Sequence, residues 1–143
     1  MRALIDTCIV IDLLQKREPF FDDAHKVFLS LANRQYEGYI SAKSVADIHY
    51  LMHHFLHDEA KTRKALETLF KMFSVLDTTE LDCKKATLSP VSDYEDAIMA
   101  ETALRSGMDC IVTRNLKDYE KSSVQARSPA DFLQEIIGPD EEE

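Results

Sequence analysis

The sequence predicts an α/β domain, a three-layer α/β/α sandwich with a mainly parallel central sheet. Short apolar stretches alternate along the chain with longer segments whose apolar residues recur at helical spacing. One of the short stretches, Cys110-Ile111-Val112, has no polar residue, which is typical of a parallel strand that is buried on both faces. Strands separated by helices join in parallel, so the helices cover both sides of the sheet.

In the first half of the chain, apolar residues and chain-breaking residues predict two strands and four helices. Pro19 ends the first strand and helix, and Gly38 separates the next helix from its strand. The elements, in order, are a strand at Ala3-Leu4-Ile5, a helix that Asp6 or Thr7 caps, a helix from Phe20 to about Asn33, a strand at Tyr39-Ile40-Ser41, a helix that starts at Ser41 or Ala42 with Val45, Ile48, Met52 and Phe55 on one face, and a helix from about Glu59 to Phe70.

The second half continues the alternation of strands and helices. Gly107 is a helix stop, and Ser128-Pro129 is a typical helix start with an N-cap followed by proline. The predicted elements are a strand at Phe73-Ser74-Val75-Leu76, a short helix between Thr79 and Ser89, a helix opened by Asp93, the strand Cys110-Ile111-Val112, an edge strand at Val124-Gln125-Ala126, and a helix from Ser128 to about Gly138.

The composition fits one compact domain, which we place at residues 1–138, followed by an acidic tail at 139–143. The chain has 143 residues, of which 45% are hydrophobic, and only three Gly and four Pro. No apolar run approaches the roughly 18 residues of a membrane span, and a strand begins almost at Met1, so we expect a cytoplasmic protein without a signal peptide. Three cysteines without CxxC spacing predict no disulfide framework.

The net charge of −9 argues at first against nucleic acid as a partner, because lysine and arginine supply most of that affinity. The tail alone carries four of the negative charges, however, and bound divalent cations would cancel more of them. Local patches of charge therefore matter more than the total.

Four aspartates in separated stretches predict a metal site. They stand after a strand, within a helix, at a helix start and beyond the last buried strand, and they are Asp6, Asp47, Asp96 and Asp118. Parallel strands present functional residues at their carboxyl ends, so these side chains should converge and repel one another unless a cation binds. Each has a structural alternative: Asp6 is a helix cap, Asp47 a solvated helix position, and Asp118 with Asn115 a turn.

The first turn of the Asp93 helix holds more acid than a helix cap needs. Asp93, Glu95 and Asp96 crowd this turn, and capping explains one of them, most naturally Asp93. Asp96 precedes an apolar pair and should lie near the buried boundary. Asp47 stands in mid-helix, where aspartate has poor helix propensity and no capping role.

Histidines offer a rival metal site. His49, His53 and His57 recur every four residues, which is a spacing that could bind zinc on one helical face. No HExxH motif is present, so an ordinary polar helix face is the favoured interpretation. The three glycines are isolated from one another, which excludes a glycine-rich phosphate loop.

Four stretches surround the candidate acids. They are Leu4-Ile5-Asp6-Thr7-Cys8-Ile9-Val10, Ser41-Ala42-Lys43-Ser44-Val45-Ala46-Asp47-Ile48, Asp93-Tyr94-Glu95-Asp96-Ala97 and Ile111-Val112-Thr113-Arg114-Asn115-Leu116-Lys117-Asp118-Tyr119. Read in order, they resemble the successive motifs of PIN-domain ribonucleases, most closely the VapC-like toxins of bacterial toxin–antitoxin pairs. The resemblance spans nearly the whole chain, and four motifs in the right order are more specific than any one.

The resemblance implies a metal-dependent endoribonuclease that uses Mg²⁺ or Mn²⁺. Asp6, Asp47 and Asp96 match the family's acidic positions, and the fourth ligand is either Asp118 or Asn115. Many relatives have Glu where Asp47 stands and Asp where Asn115 stands. Residues that would orient the carboxylates or the phosphate are Thr7, Ser41, Asp93, Thr113 and Asn115, and those that would bind RNA are Lys43, Arg114, Lys117 and Lys121.

Relatives commonly form homodimers and are silenced by an antitoxin, so we expect both partners. Phe20-Phe21 and Leu51-Phe55-Leu56 give their helices more apolar surface than a monomer needs. The two departures from the family pattern support an alternative, a catalytically silent domain that binds RNA or a protein partner. A metal-dependent phosphatase acting on small molecules is a third reading, and it would not need the basic patch.

Overall fold

A computed structural model describes residues 1–138, and the predicted acidic tail at 139–143 lies outside the described residues. Five strands form one sheet in the order β3-β2-β1-β4-β5, and every neighbouring pair is parallel. Helices pack on both faces of this sheet. The three-layer α/β/α architecture with a parallel sheet is therefore confirmed.

The first half of the chain builds one side of the sheet and most of one helical layer. Its elements are β1 (Arg2–Ile5), α1 (Thr7–Leu14), α2 (Phe21–Ala32), β2 (Glu37–Ser41), α3 (Ala42–Leu56) and α4 (Glu59–Met72). They lie within a few residues of the predicted positions. Phe55 is an exception to the predicted apolar face of α3: Ile48 and Met52 are buried, but the Phe55 ring is 53% exposed.

The second half first adds β3 beside β2 and then crosses back over β1 to build the other side of the sheet. Its elements are β3 (Ser74–Leu76), α5 (Glu80–Ala86), α6 (Tyr94–Arg105), β4 (Cys110–Val112), a 3₁₀ helix (Leu116–Tyr119), β5 (Ala126–Arg127) and α7 (Pro129–Ile137). The edge strand pairs at Ala126 and Arg127, slightly beyond the predicted Val124–Ala126. The 3₁₀ helix was not predicted, because its four residues have no apolar repeat of their own.

Alternating side chains of the central strands β1 and β4 lie in two separate hydrophobic cores, one on each face of the sheet. Ala3, Ile5, Cys110 and Val112 face the core that contains α1, α2, α3, α4 and α7. Leu4 and Ile111 face the second core, which contains α5 and α6. Because the side chains of a strand alternate between its two faces, the unbroken apolar runs of β1 and β4 are what this double burial requires.

The strand order reverses at β1. The chain adds β2 and β3 on one side of β1 and then returns to add β4 and β5 on the other, so the switch point lies between β1 and β4. In open parallel sheets the crevice at the carboxyl ends of the strands at this point is the usual binding site. None of the helices in the described part of the chain has the length and apolar character needed to cross a bilayer.

Candidate functional site

Asp6 stands at the switch point, directly after β1. The Asp6 backbone N–H donates to the carbonyl of Val112 at 2.9 Å, so the residue is fixed to the end of the neighbouring strand β4. Its carboxylate is buried and accepts hydrogen bonds from the Thr7 N–H (2.9 Å) and the Thr113 hydroxyl (2.7 Å). Burial raises the pKa of Asp6, and the hydrogen bonds from Thr113 and Thr7 only partly oppose the increase.

A small hydroxyl network joins the start of α1 to the start of α3. The Thr7 hydroxyl donates to the Ser44 hydroxyl at 2.9 Å, and the Ser44 N–H donates to the side chain of Ser41, which caps α3. Ser44 is completely buried. Thr7 and Ser41 thus lie where the sequence placed them, while Ser44 was missed, although its position three residues after the Ser41 cap was a visible signal.

Asp96 lies in the first turn of α6 with acids on several sides. The Asp93 side chain caps the helix by accepting from the Asp96 N–H at 3.0 Å, and the buried Tyr119 hydroxyl donates to Asp96 Oδ1 at 3.2 Å. Burial, the Asp93 charge and the Asp6 charge together raise the pKa of Asp96 to about 6. Sequence reasoning missed the role of Tyr119, the buried aromatic residue that ends the fourth motif.

The raised pKa of Asp96 makes the metal-free protein less stable as it deprotonates. The carboxyl ionises near pH 4 in the unfolded chain but near pH 6 in the folded one, so stability is present at low pH and lost as pH rises through this window. Asp96→Asn removes the charge. We expect the variant to be more stable than wild type by about 1 to 2 kcal/mol at pH 7, allowing for solvent screening.

Urea unfolding in EDTA at several pH values measures this difference. The stability gap between Asp96→Asn and wild type should be small near pH 4 and widen up to pH 6, then stay level. A gap that is constant across this range would contradict the assigned cause, because an uncharged difference in packing does not titrate.

Asp47 lies one turn into α3, where its carboxylate meets a lysine. The Lys43 ammonium forms an ion pair with Asp47 and a second one, at 3.4 Å, with Glu95 of α6. Burial lowers the pKa of Lys43, but the bonds to Asp47 and Glu95 outweigh it, so the pKa is raised. The sequence analysis noted Glu95 as one of the acids in the first turn of α6 but did not place it in the site, and the structure adds it to this group.

In the loop after β4, Asn115 lines the cleft and Asp118 does not. Asn115 lines the cleft and its N–H donates to the Thr113 hydroxyl at 3.0 Å. Asp118 is exposed in the 3₁₀ helix and does not line the cleft. Its charge nonetheless contributes to the raised pKa of Asp96, after the larger effects of burial and of two other aspartates. Lys117 and Lys121 are exposed beside it.

Arg114 turns away from solvent and holds a buried carboxylate. Its guanidinium donates to Asp12 from Nε (2.6 Å) and Nη2 (3.2 Å), and it lies 3.9 Å above the centre of the Phe20 ring. Asp12, in α1, is fully buried. Sequence reasoning missed Asp12, since nothing in its local sequence separates a buried aspartate from an exposed one.

These side chains open into one cleft of about 400 Å³ at the carboxyl ends of β1 and β2. It brings together three of the four predicted aspartates and leaves out Asp118. The lining residues are Asp6, Thr7, Cys8, Ile11, Arg17, Lys43, Asp47, Tyr50, Leu51, Glu95, Asp96, Met99 and Asn115. Burial and the Asp6 charge raise the pKa of Cys8 to about 11, so its thiol is neutral at pH 7.

The donor set of the cleft suits a hard divalent cation. It offers carboxylate oxygens and an amide oxygen, which select Mg²⁺ or Mn²⁺ over softer metals. Burial raises the pKa of both Asp6 and Asp96, so a negative charge on either is unfavourable in the absence of a cation. Within residues 1–138, however, no three His, Cys, Asp or Glu side chains stand in the arrangement of a formed metal site.

The histidines of α3 make the contacts of a polar helix face. His49 Nε2 contacts the two carboxylate oxygens of Glu59 at 2.9 and 3.1 Å, and Arg63 contacts the same carboxylate at 2.7 Å. His57 lies at the end of α3 in a left-handed conformation. The favoured interpretation from sequence, a polar helix face, agrees with these contacts.

Comparison with known proteins gives one family and a group of similar folds. A family model described as PIN domain matches residues 2–117. A search of curated protein sequences finds no match.

Solved structures with the same fold come from several bacteria. A chain in the structure of VapBC2 from Rickettsia felis bound to a promoter DNA fragment is 16% identical, with a TM-score of 0.67 and 90% and 98% of the two chains covered. A chain in a toxin-antitoxin complex from Klebsiella pneumoniae is 24% identical, with a TM-score of 0.64, and the match covers 89% of this chain and 97% of that one. A chain in the structure of FitAcB from Neisseria gonorrhoeae is 19% identical, with a TM-score of 0.67, and the match covers 90% and 98% of the two chains.

Proposed function

Because the chain belongs to the PIN domain family, we propose that it is an endoribonuclease that hydrolyses RNA phosphodiester bonds with Mg²⁺ or Mn²⁺. The observation that carries the proposal is the cleft at the strand switch point, where Asp6, Asp47 and Asp96 come together from three separate elements. Asp6 caps α1 and Asp47 is paired with Lys43, so each has a structural role as well. Neither a cap nor a surface pair requires that Asp6 be buried and Asp96 half-buried in the same cleft, where burial raises the pKa of both.

The cation would be held by Asp6, Asp47 and Asp96, with Asn115 or Asp118 as a fourth ligand. When bound, such an ion acidifies a water molecule and offsets negative charge on the phosphate. The protein positions the carboxylates in advance: the Thr113 hydroxyl and the Thr7 N–H fix Asp6, and the Tyr119 hydroxyl fixes Asp96. Ligands held this way lose little freedom on binding.

Lysines at the rim of the cleft would bind the phosphates of the RNA strand. Lys117 and Lys121 are exposed next to the loop that carries Asn115, and Lys43 reaches the cleft from α3. Their charges would neutralise phosphates in a sequence-independent way. Arg114 was predicted in the same role, but its guanidinium is engaged by Asp12, so we assign it to fixing the loop.

We further propose that the chain is the toxin of a toxin–antitoxin pair in the cytoplasm and forms a homodimer. The support is the fold that it shares with chains of toxin-antitoxin complexes. Exposed aromatic rings, Phe20 at 40% and Phe55 at 53%, give α3 and the start of α2 apolar surface for such contacts.

A catalytically silent domain that binds RNA or a protein partner is the alternative function. Two observations favour it: Lys43 already occupies the Asp47 carboxylate, and a neutral amide stands at Asn115. Both weaken the attraction of the cleft for a cation. Metal dependence separates the two functions.

The test is cleavage of a mixed-sequence single-stranded RNA by metal-stripped protein to which Mg²⁺ or Mn²⁺ is returned in steps. We expect cleavage that saturates with metal and is lost in EDTA. An inert protein at every ion concentration, with RNA binding retained, would support the silent domain. Cleavage of a small phosphoester without competition by RNA would indicate a phosphatase instead.

The same assay identifies the fourth ligand. Asn115 lines the cleft and Asp118 does not, so Asn115→Ala should lower the cleavage rate by about tenfold or more, and Asp118→Asn by less. The reverse order would show that the 3₁₀ helix moves to bring Asp118 to the metal. Glu67→Gln, which removes one exposed charge from α4, is the control and should cleave as wild type does.

A further inference from the structure

The Lys43 ammonium is a positive charge that lies in the cleft beside Asp47. It forms ion pairs with Asp47 and, at 3.4 Å, with Glu95, and so joins α3 to α6 across the cleft. The Lys43 N–H donates to the Thr78 hydroxyl at 3.3 Å, and Ser41 caps the helix just before it. The backbone of Lys43 is therefore fixed, while among residues 1–138 its long side chain is held by these two carboxylates alone.

This ion pair differs from the ordinary lysine pairs on the surface. Lys26 with Asp22 and Lys84 with Glu80 have the same i, i+4 spacing, but their lysine side chains are 58% and 70% exposed. The Lys43 side chain is only 21% exposed. A surface pair contributes little because water screens it, whereas a half-buried pair on the wall of a cleft competes effectively for its carboxylate.

We propose that Lys43 is an internal counter-ion that a divalent cation displaces from Asp47, and that the released ammonium then binds the RNA phosphate. The inference rests on the proposed function, because it takes Asp47 as a ligand of the metal. The Lys43 ammonium contacts Oδ2 of Asp47 and leaves Oδ1 open. A divalent cation on the same carboxylate would nevertheless stand within a few ångströms of the ammonium, and the two positive charges would repel each other. Metal binding therefore weakens this pair.

The displacement of Lys43 by a metal ion would have a use in both the metal-free and the metal-bound protein. Without metal, Lys43 offsets the charge of Asp47 and Glu95 and limits their repulsion with the other acids of the cleft. With metal, the freed ammonium remains tethered at the same helix end, with a length of side chain that reaches the rim. A phosphate entering the cleft would then meet a cation that was unavailable before.

The experiment measures Mn²⁺ binding by calorimetry, without RNA, for wild type, Lys43→Gln, Lys43→Arg and Arg17→Gln. Lys43→Gln should lower the Mn²⁺ dissociation constant by about tenfold, because no ammonium competes for Asp47. Lys43→Arg keeps the charge and should bind close to wild type. Arg17→Gln removes a charge from the same cleft without an ion pair to Asp47, so its change should stay below about twofold.

A second measurement uses the unaltered protein. Acetylation of lysines by a reactive ester, followed by mass spectrometry, should be slow at Lys43 without metal and several-fold faster with saturating Mg²⁺. Lys84, in an exposed pair, should not respond. In the cleavage assay, Lys43→Gln should cut RNA at least tenfold more slowly than wild type, although calorimetry should show that it binds metal more tightly. Loss of structure does not produce this combination.

The outcomes separate the inference from its premise. Mn²⁺ binding with equal affinity in wild type and Lys43→Gln, or an equal tightening in Arg17→Gln, would overturn the role of Lys43 and leave the proposed nuclease intact. No Mn²⁺ binding in any variant would overturn both.

Discussion

Asp6→Asn is expected to abolish RNA cleavage, with a loss of about a thousandfold or more, while leaving the fold intact. The amide keeps the shape of the carboxylate but removes the negative charge that would hold the cation. Asparagine caps helices as well as aspartate does, so the start of α1 is preserved. Burial raises the pKa of Asp6, so a neutral side chain at this place should not lower stability.

This substitution separates the two interpretations of Asp6. If the residue were only a helix cap, Asp6→Asn would change neither cleavage nor unfolding. Asp58→Asn is the matched control, because the Asp58 side chain caps α4 by accepting from the Lys61 N–H, away from the cleft. We expect full cleavage by Asp58→Asn. The assignment fails if Asp6→Asn cuts RNA at the wild-type rate in Mg²⁺ or Mn²⁺.

The position of Asp6 could be predicted from the sequence because local and global signals agree there. A strand without polar residues must be buried, it must be followed by a turn, and the turn must lie at the carboxyl edge of a parallel sheet. The same reasoning placed Asp96 at a helix start. Both residues now lie in the cleft. Their role as metal ligands stays a prediction.

What the sequence could not predict are the pairings between elements. Lys43 and Arg114 were both assigned to RNA because an exposed cation and a paired cation look alike in a sequence. The structure pairs one with Asp47 and Glu95, and the other with Asp12. These contacts depend on the packing of α1, α3 and α6, and no local pattern specifies the packing.

Arg114→Ala is expected to lower the free energy of unfolding by about 3 kcal/mol, because it leaves a buried carboxylate without its partner. Asp12 is fully buried, and among residues 1–138 only Arg114 donates hydrogen bonds to its side chain. Urea unfolding measures the loss. Arg105→Ala is the matched control: it unpairs the buried Asp82, but the Thr102 hydroxyl and the Thr79 N–H still donate to that carboxylate, so its loss should be nearer 1 kcal/mol.

RNA cleavage by Arg114→Ala, Arg105→Ala and a third variant, Asp12→Asn, tests whether the Arg114–Asp12 pair positions the residues of the cleft. The pair fixes the loop between Thr113, which holds Asp6, and Asn115, which lines the cleft, so both Arg114→Ala and Asp12→Asn should lower kcat by about tenfold at a temperature where they are folded. Arg105→Ala should not. If Arg114→Ala raised KM alone while Asp12→Asn cleaved normally, the guanidinium would contact RNA directly, as the sequence first suggested, and the buried pair would matter for stability only.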